Sequence, residues 1–379
     1  MMGPFEEVND ARRVKLMEKM TSYTQDKHLV DPEFWAFMWL SDVDQLELFV
    51  DALTQLPNST RADVYQSPEY SEALRIWATR GHSIKDDPPA QDDGKKRKLS
   101  PVVKQQPKPS KVPRCDENAN IATTPSITSP GGRSPVPRSR SESLSNIPSP
   151  GVTSTQLGVP RTPEPMNYPQ STMMADLCKE RDEGSCLIIK AGDDVTKVAY
   201  IYPYLLGTKV GNIMYRKFWE LLSRFWPSND IRKWECAVLG PERNEILPNL
   251  MCLSPTVLHL WRNAKFALKP NELSEDKKTL TVEFYWLPDF GHDFKDLATP
   301  PPNPNNLDST TRGTRLFDCK TDKCIRSGDL LRFTTDDPKK WPLPSVDLLH
   351  MQWVLNRLMS LCGVAGLTND ELDPEDYWS

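Results

Sequence analysis

The sequence predicts an α+β chain in successive parts: a small helical module over residues 1–85, a disordered linker over 86–174, and a mixed helix and strand region over 175–366 with a short acidic tail at 367–379. Three observations set this division. Apolar residues recur at helical spacing in the first part, and at both helical and strand spacing in the third. Of the 35 prolines, 16 fall between Pro88 and Pro169. That stretch also has almost no aromatic residues, so it cannot bury enough apolar surface to offset the entropy of ordering its backbone.

In the helical module, Asp31-Pro32-Glu33 and Ser67-Pro68-Glu69 each place a capping side chain, a proline and an acid in the order that starts a helix. Phe34, Trp35, Phe37, Met38 and Trp39 follow the first, and Leu74, Ile76 and Trp77 the second. Between them Leu46, Phe49, Val50 and Leu53 share a helical face behind an expected cap at Ser41. These aromatic residues read as core.

The linker is a basic arm. From Lys95 to Arg140 it carries eleven Lys and Arg against Asp116 and Glu117, although the whole chain has a net charge of −5. Lys95, Lys96, Arg97 and Lys98 are adjacent cations of the kind that an import receptor grips, or that meet nucleic-acid phosphates; the plain alternative is a solvated charge run. Ser100, Thr124, Ser129, Ser134, Ser149 and Thr162 each precede a proline and are candidates for phosphorylation, which would add close to two negative charges per site.

The third part opens with the short strand-like runs "CLIIK" and "VAYIYPY", separated by "AGDDVTK" with its turn chemistry. A helix follows, with Met214, Phe218, Leu221, Leu222 and Phe225 on one face and a stop at Pro227. Ser254-Pro255 starts another, which holds His259. "TLTVEFYWL" alternates Leu280, Val282, Phe284 and Trp286 as a half-buried strand does, and further strand-like segments lie near Leu316 and from Leu330 to Phe333. The last helix runs from about Val346 to Cys362, with Leu348, Met351, Leu355, Leu358 and Cys362 inward and Gly363 as its C-cap.

Eight cysteines without a CxxC pair imply no disulfide framework, and nothing at the N-terminus reads as a secretory signal. No apolar run reaches the roughly 18 residues that crossing a bilayer needs, since Pro248 and Pro255 break the longest. The expectation is a protein that is neither secreted nor membrane-bound, placed in the nucleus by its basic arm and otherwise in the cytoplasm.

The segment from Cys186 to Pro270, strongest in "NLMCLSPTVLHLWRNAKFALKP", resembles the HNH nuclease domain of fungal proteins, and "SGDLLRFTTDDPKKWPLPSVDLLHMQWVLNRL" resembles the tail those proteins carry after it. The likeness covers roughly residues 176 to 366. It implies a ββα-metal core: two antiparallel strands, a loop and a helix around one divalent cation, Mg²⁺, Mn²⁺ or Zn²⁺. A histidine on the first strand would act as general base on water, an asparagine would orient it or help to hold the metal, and a histidine on the helix would ligate the ion.

Against that pattern the asparagine matches at Asn249, but the general-base position is held by Tyr200. A phenol with a reference pKa of about 10 is a poor base at neutral pH. The helix position, counted from Asn249 or back from Trp261, is Leu258; His259 falls one residue late, about 100° around the helix. A shifted helix start would be needed to restore His259 as a ligand. Other candidates read more simply as structure: Cys186 as a small buried hydrophobe, Asp193 and Asp194 as turn acids, and "CKTDKC" from Cys319 to Cys324 as a strand-turn-strand rather than half a zinc site. His28, His82, His292 and His350 have no ligand-like neighbours.

Three functions stay open. The substituted positions favour a degenerate HNH module that binds nucleic acid or protein without cutting. A metal-dependent HNH endonuclease with an atypical site is the first alternative. The second is a nuclear regulatory or scaffold protein acting through its N-terminal helices and phosphorylatable arm.

Overall fold

The structure is a computed structural model that describes residues 3–23, 29–78, 172–192, 196–203, 213–238 and 246–364. Of the two units into which the chain divides, one joins Met1–Pro88 with Asn167–Ser379; the other, Pro89–Met166, lies outside the described residues. In chain order the first unit contains α1 (Ala11–Thr21), β1 (Leu29–Val30), α2 (Pro32–Leu40), α3 (Val43–Thr54), α4 (Asn58–Tyr65), α5 (Glu69–Ala78), α6 (Thr172–Arg181), β2 (Lys197–Tyr200), α7 (Ile213–Phe225), α8 (Ser228–Val238), β3 (Leu250–Leu253), α9 (Pro255–Arg262), β4 (Phe266–Leu273), β5 (Thr279–Trp286), β6 (Lys295–Asp296), β7 (Phe317–Asp318), β8 (Lys323–Cys324), β9 (Asp329–Thr334) and α10 (Val346–Leu361). No described helix is long and apolar enough to cross a membrane.

The N-terminal helices do not form a core of their own, which corrects the expectation of a separate module. α2 is buried on every side, as a helix with no polar stripe must be. Its indoles reach into the C-terminal half: Trp35 Nε1 donates to the Thr299 carbonyl at 3.1 Å, and Trp39 Nε1 to the Leu297 carbonyl at 3.2 Å. Phe37 packs on Phe225 with ring centroids 5.3 Å apart. β1 pairs with β6, so even this short ladder joins the two sequence segments. The aromatic residues read as core are core.

Local signals and structure part company at the caps and the first strand. α3 is capped by Asp42, whose carboxylate accepts from the backbone N–H groups of Asp44 and Gln45, not by Ser41; such a cap contributes about 1 kcal/mol. Asp31 precedes α2 without a side-chain cap bond. "CLIIK" is a turn and not a strand, because the Lys190 N–H closes on the Cys186 carbonyl at 2.9 Å and Lys190 takes a left-handed φ of 58°. The linker expected over 86–174 meets α6, which begins at Thr172.

α10 is the hub. It packs against β4, α2, α5 and α8, and nearly all of it is buried, including Gln352, Asn356 and Arg357. These polar side chains satisfy backbone groups of other elements: Gln352 Oε1 accepts from Leu268 N–H at 3.1 Å, and Asn356 Nδ2 donates to the Phe266 carbonyl at 3.0 Å. Asn356 Oδ1 in turn accepts from Trp77 Nε1 at 3.0 Å, tying α5 to β4 through α10. The helix ends at Gly363, with φ 76°, where a Cβ would stand 2.2 Å from the Gly291 backbone, so glycine is required by both conformation and space.

The largest sheet has strand order β4-β5-β9, all antiparallel. β4 contains Pro270, which has no N–H to give to a ladder; it is tolerated because β4 is an edge strand and the register shifts just after it, between Pro270 and Glu272. The Cys319–Cys324 segment forms the expected strand-turn-strand, with Phe317 opposite Cys324 across β7 and β8.

Candidate functional site

β2 and β3 pair antiparallel, Lys197 opposite Leu253 and Tyr200 opposite Leu250, and α9 follows β3 directly. The start of α9 is set locally: Ser254 caps it through a bond from Val257 N–H, and Pro255 occupies the first turn. A short 3-10 turn, Leu247–Asn249, leads into β3 and delivers Asn249, fully buried, to the end of β2.

There the carboxamide of Asn249 clasps one residue. Its Oδ1 accepts from Tyr202 N–H at 2.7 Å, and its Nδ2 donates to the Tyr202 carbonyl at 3.2 Å. The Asn249 carbonyl also accepts from Ile201 N–H at 2.9 Å. β2 ends at Tyr200, and these bonds continue the pairing past that point.

The two faces of the ladder lead to different places. Ala199, Ile201, Met251 and Leu253 belong to the main core, together with Leu258 and Trp261 of α9. Val198, Tyr200, Leu250 and Cys252 belong to a second apolar cluster, with Cys178 of α6. Side chains alternate along a strand, so positions 200 and 258 fall in separate clusters even though Trp261 Nε1 bonds the Tyr200 carbonyl at 3.2 Å. Leu258 is buried, whereas His259 is exposed on the outer face of α9 beside Asn263. Asn249, Tyr200 and His259 therefore share a neighbourhood of the backbone without converging on one point.

Behind the second cluster lies an arrangement that sequence reading missed. Arg181, buried at the end of α6, donates to the carbonyls of Leu247 (3.2 Å), Leu250 (2.7 Å) and Pro342 (3.0 Å) and to both oxygens of Asp182. Asp182 Oδ2 also accepts from Cys252 N–H at 2.8 Å. Cys178 and Cys252 bring their sulfurs to 3.8 Å, and burial pushes the Cys178 thiol well above its ordinary pKa. An adjacent Arg-Asp pair at a helix end has no periodic signature that would have marked it in advance.

Neither constellation fits a divalent cation. At the ββα position the Asn249 carboxamide is engaged on both sides by Tyr202, residue 258 is aliphatic, and His259 faces away. Cys178, Asp182 and Cys252 are the only group of potential ligands that draws together among the described residues, with donor atoms within 4.8 Å of one another. Both oxygens of Asp182 accept from Arg181, and Oδ2 also from the Cys252 amide and the Cys178 thiol, so the Arg181 guanidinium already supplies the positive charge at this group. It is a hydrogen-bonded staple fixing α6 to β3, with its buried charges paired as burial requires.

Of the other sequence candidates, Cys186 is buried, Cys319 is exposed and Cys324 is partly covered. His292 bonds the Cys362 carbonyl at 2.8 Å and lies 3.7 Å from Glu33. His350 accepts from Trp234 Nε1 at 3.3 Å. His28, His82, Lys95 to Lys98, Asp193, Asp194 and the six candidate phosphorylation sites from Ser100 to Thr162 lie outside the described residues.

Comparison with protein-family models, with curated proteins and with solved structures found no match to this chain.

Proposed function

We propose that β2, the Asn249 turn, β3 and α9 are a ββα scaffold of the HNH type that no longer performs metal-dependent hydrolysis and acts as a binding module. Support comes from the order strand, asparagine turn, strand, helix, together with the likeness of residues 186–270 to fungal HNH domains. The observation that carries the loss of catalysis is the commitment of the Asn249 carboxamide to the Tyr202 backbone. A buried phenol and a buried leucine, in separate clusters, stand at the positions of the two histidines. Among the described residues, none of the side chains at the matched positions Tyr200, Asn249 and Leu258 is able to take a proton from water near neutral pH.

The reading has a direct test. Purified protein with Mg²⁺, Mn²⁺ or Zn²⁺ is expected to leave supercoiled plasmid intact. Metal-dependent cutting that disappears in His259→Ala would overturn it and establish the endonuclease alternative; the exposed position of His259 makes that variant structurally benign. The same reading keeps Lys95 to Lys98 as a nuclear import signal and the Ser-Pro and Thr-Pro sites as its modulators. Because the N-terminal helices share the core, any surface they offer a partner belongs to the same body as the ββα scaffold.

A further inference from the structure

The contact between α6 and β3 joins two sulfurs as well as Arg181 and Asp182. Cys178 Sγ and Cys252 Sγ stand 3.8 Å apart although their residues are 74 positions apart in the chain, and both side chains are fully buried. They are the one pair of sulfurs in contact among the described residues, whose cysteines are all free thiols. A single buried cysteine serves as a small hydrophobe. Two from different elements that touch are placed for a further step, since closing to a disulfide bond of about 2.05 Å asks the sulfurs to approach by less than about 2 Å.

The surroundings suit that step. Cys178 Sγ lies 3.6 Å from Asp182 Oδ2, an acceptor for its proton, and 3.6 Å from Arg181 Nη2, whose charge favours the thiolate. Burial opposes ionisation and keeps the Cys178 thiol protonated while α6 is docked. α6 docks on the smaller of the two apolar clusters, whose buried members are Cys178, Val198, Tyr200, Leu247, Leu250 and Cys252. A cluster of this size opens locally more readily than the main core, and that opening admits a small oxidant. Disulfide formation removes two neutral S–H groups, so the buried Arg181–Asp182 ion pair stays balanced.

We propose that Cys178 and Cys252 form a reversible disulfide on reaction with a peroxide, which turns the hydrogen-bonded contact between α6 and β3 into a covalent one. The Cys178 sulfur attacks one peroxide oxygen as the O–O bond breaks, and Asp182 passes the thiol proton to the departing hydroxide, giving a sulfenic acid and one water. The Cys252 sulfur then attacks the Cys178 sulfur, the S–O bond breaks, and hydroxide leaves with the Cys252 proton as a second water. Two electrons pass from the two thiols to the peroxide. The bond closes a long loop of the unfolded chain and anchors α6, the first described element after the linker. A dithiol reductant reverses it by exchange. This inference does not rest on the loss of catalysis: plasmid cutting would sink that reading and leave this one standing.

The test uses the full chain and hydrogen peroxide. Accessible thiols, the exposed Cys236 and Cys319 among them, are first capped with iodoacetamide under native conditions; after peroxide, the remaining thiols are capped in denaturant and the peptides are mapped without reduction. The peptides holding Cys178 and Cys252 are expected to be recovered linked to each other, with a melting temperature raised by about 5 °C or more, and dithiothreitol is expected to reverse both changes. In Cys252→Ala neither the link nor the rise is expected, and dimedone should trap the Cys178 sulfenic acid. Where that variant does not fold, mapping of the natural chain decides alone. The proposal is overturned if both thiols are recovered free after peroxide, if either pairs with a different cysteine, if the link forms only in urea-unfolded chain, or if the linked protein melts no higher than the reduced one.

Discussion

Replacing Asn249 by alanine removes a carboxamide that serves two buried backbone groups at once. Tyr202 N–H loses its acceptor at 2.7 Å and Tyr202 C=O its donor at 3.2 Å. Each orphaned buried group costs about 1–3 kcal/mol, so a loss of about 4 kcal/mol is expected, a large fraction of the ~5–15 kcal/mol that holds a typical domain. With an m-value of about 3 kcal/mol/M in urea, the midpoint falls by roughly 1.3 M. Tryptophan fluorescence against urea measures this, and amide exchange at Tyr202 locates it. Asn249→Asp is the informative partner. It keeps an acceptor for Tyr202 N–H but sets a carboxylate against Tyr202 C=O, which pushes the new acid's folded pKa up. Stability then falls as pH rises through that pKa, and is recovered on acidification, when the protonated acid donates to the carbonyl. A loss below about 1 kcal/mol in Asn249→Ala would refute the reasoning, because it would mean that the carboxamide is free for another task such as holding a metal.

Further outcomes follow from the same structure. Cutting the chain at a protease site placed between Lys98 and Leu99 should leave the two fragments co-eluting on gel filtration, since they share one core; separation under native conditions would contradict it. Asn356→Leu orphans Trp77 Nε1 and the Phe266 carbonyl and is expected to cost about 2–4 kcal/mol, read by chemical denaturation. Burial raises the Glu33 carboxyl above its ordinary pKa, with His292 the nearest cation-forming group opposing this. An acid whose folded pKa lies above its unfolded one costs stability once both states are ionised and returns that stability as pH falls through the folded value toward about 4.5. Glu33→Gln should therefore raise the melting temperature near pH 7 and gain less near pH 4.5; an equal effect at both would exclude ionisation as the cause. Tyr200→His with Leu258→His is expected to create no tight zinc site by calorimetry, because the two positions lie in separate apolar clusters; strong binding would show that the imidazoles meet.

What the sequence determined by itself is the set of elements whose signals are local. Pro32 in the first turn of α2, the one-sided apolar face of α7, the alternation of Leu280, Val282, Phe284 and Trp286 in β5, and Gly363 at the end of α10 each depend on residues within a few positions, and each element formed where those residues point. Rotation about the α9 axis was equally legible, since a single residue step separates buried Leu258 from exposed His259. Tertiary structure decided everything that joins distant segments. "CLIIK" has strand composition, yet only its Leu187 N–H reaches β3, at the Cys252 carbonyl, before Lys190 N–H closes back on Cys186 and the chain turns; β4, with Pro270 inside it, formed because β5 was there to pair with. The N-terminal helices read as a separate module because the basic arm interrupts the sequence, yet their indoles had no complete set of partners until Leu297, Thr299 and Asn356 were brought to them. Arg181 and Arg357 acquired their roles in the same way, from backbone carbonyls far along the chain, and Asp182 from the Cys252 amide. Periodicity reports which face of an element is apolar; which other face it meets is settled only when buried polar groups must all find partners at once.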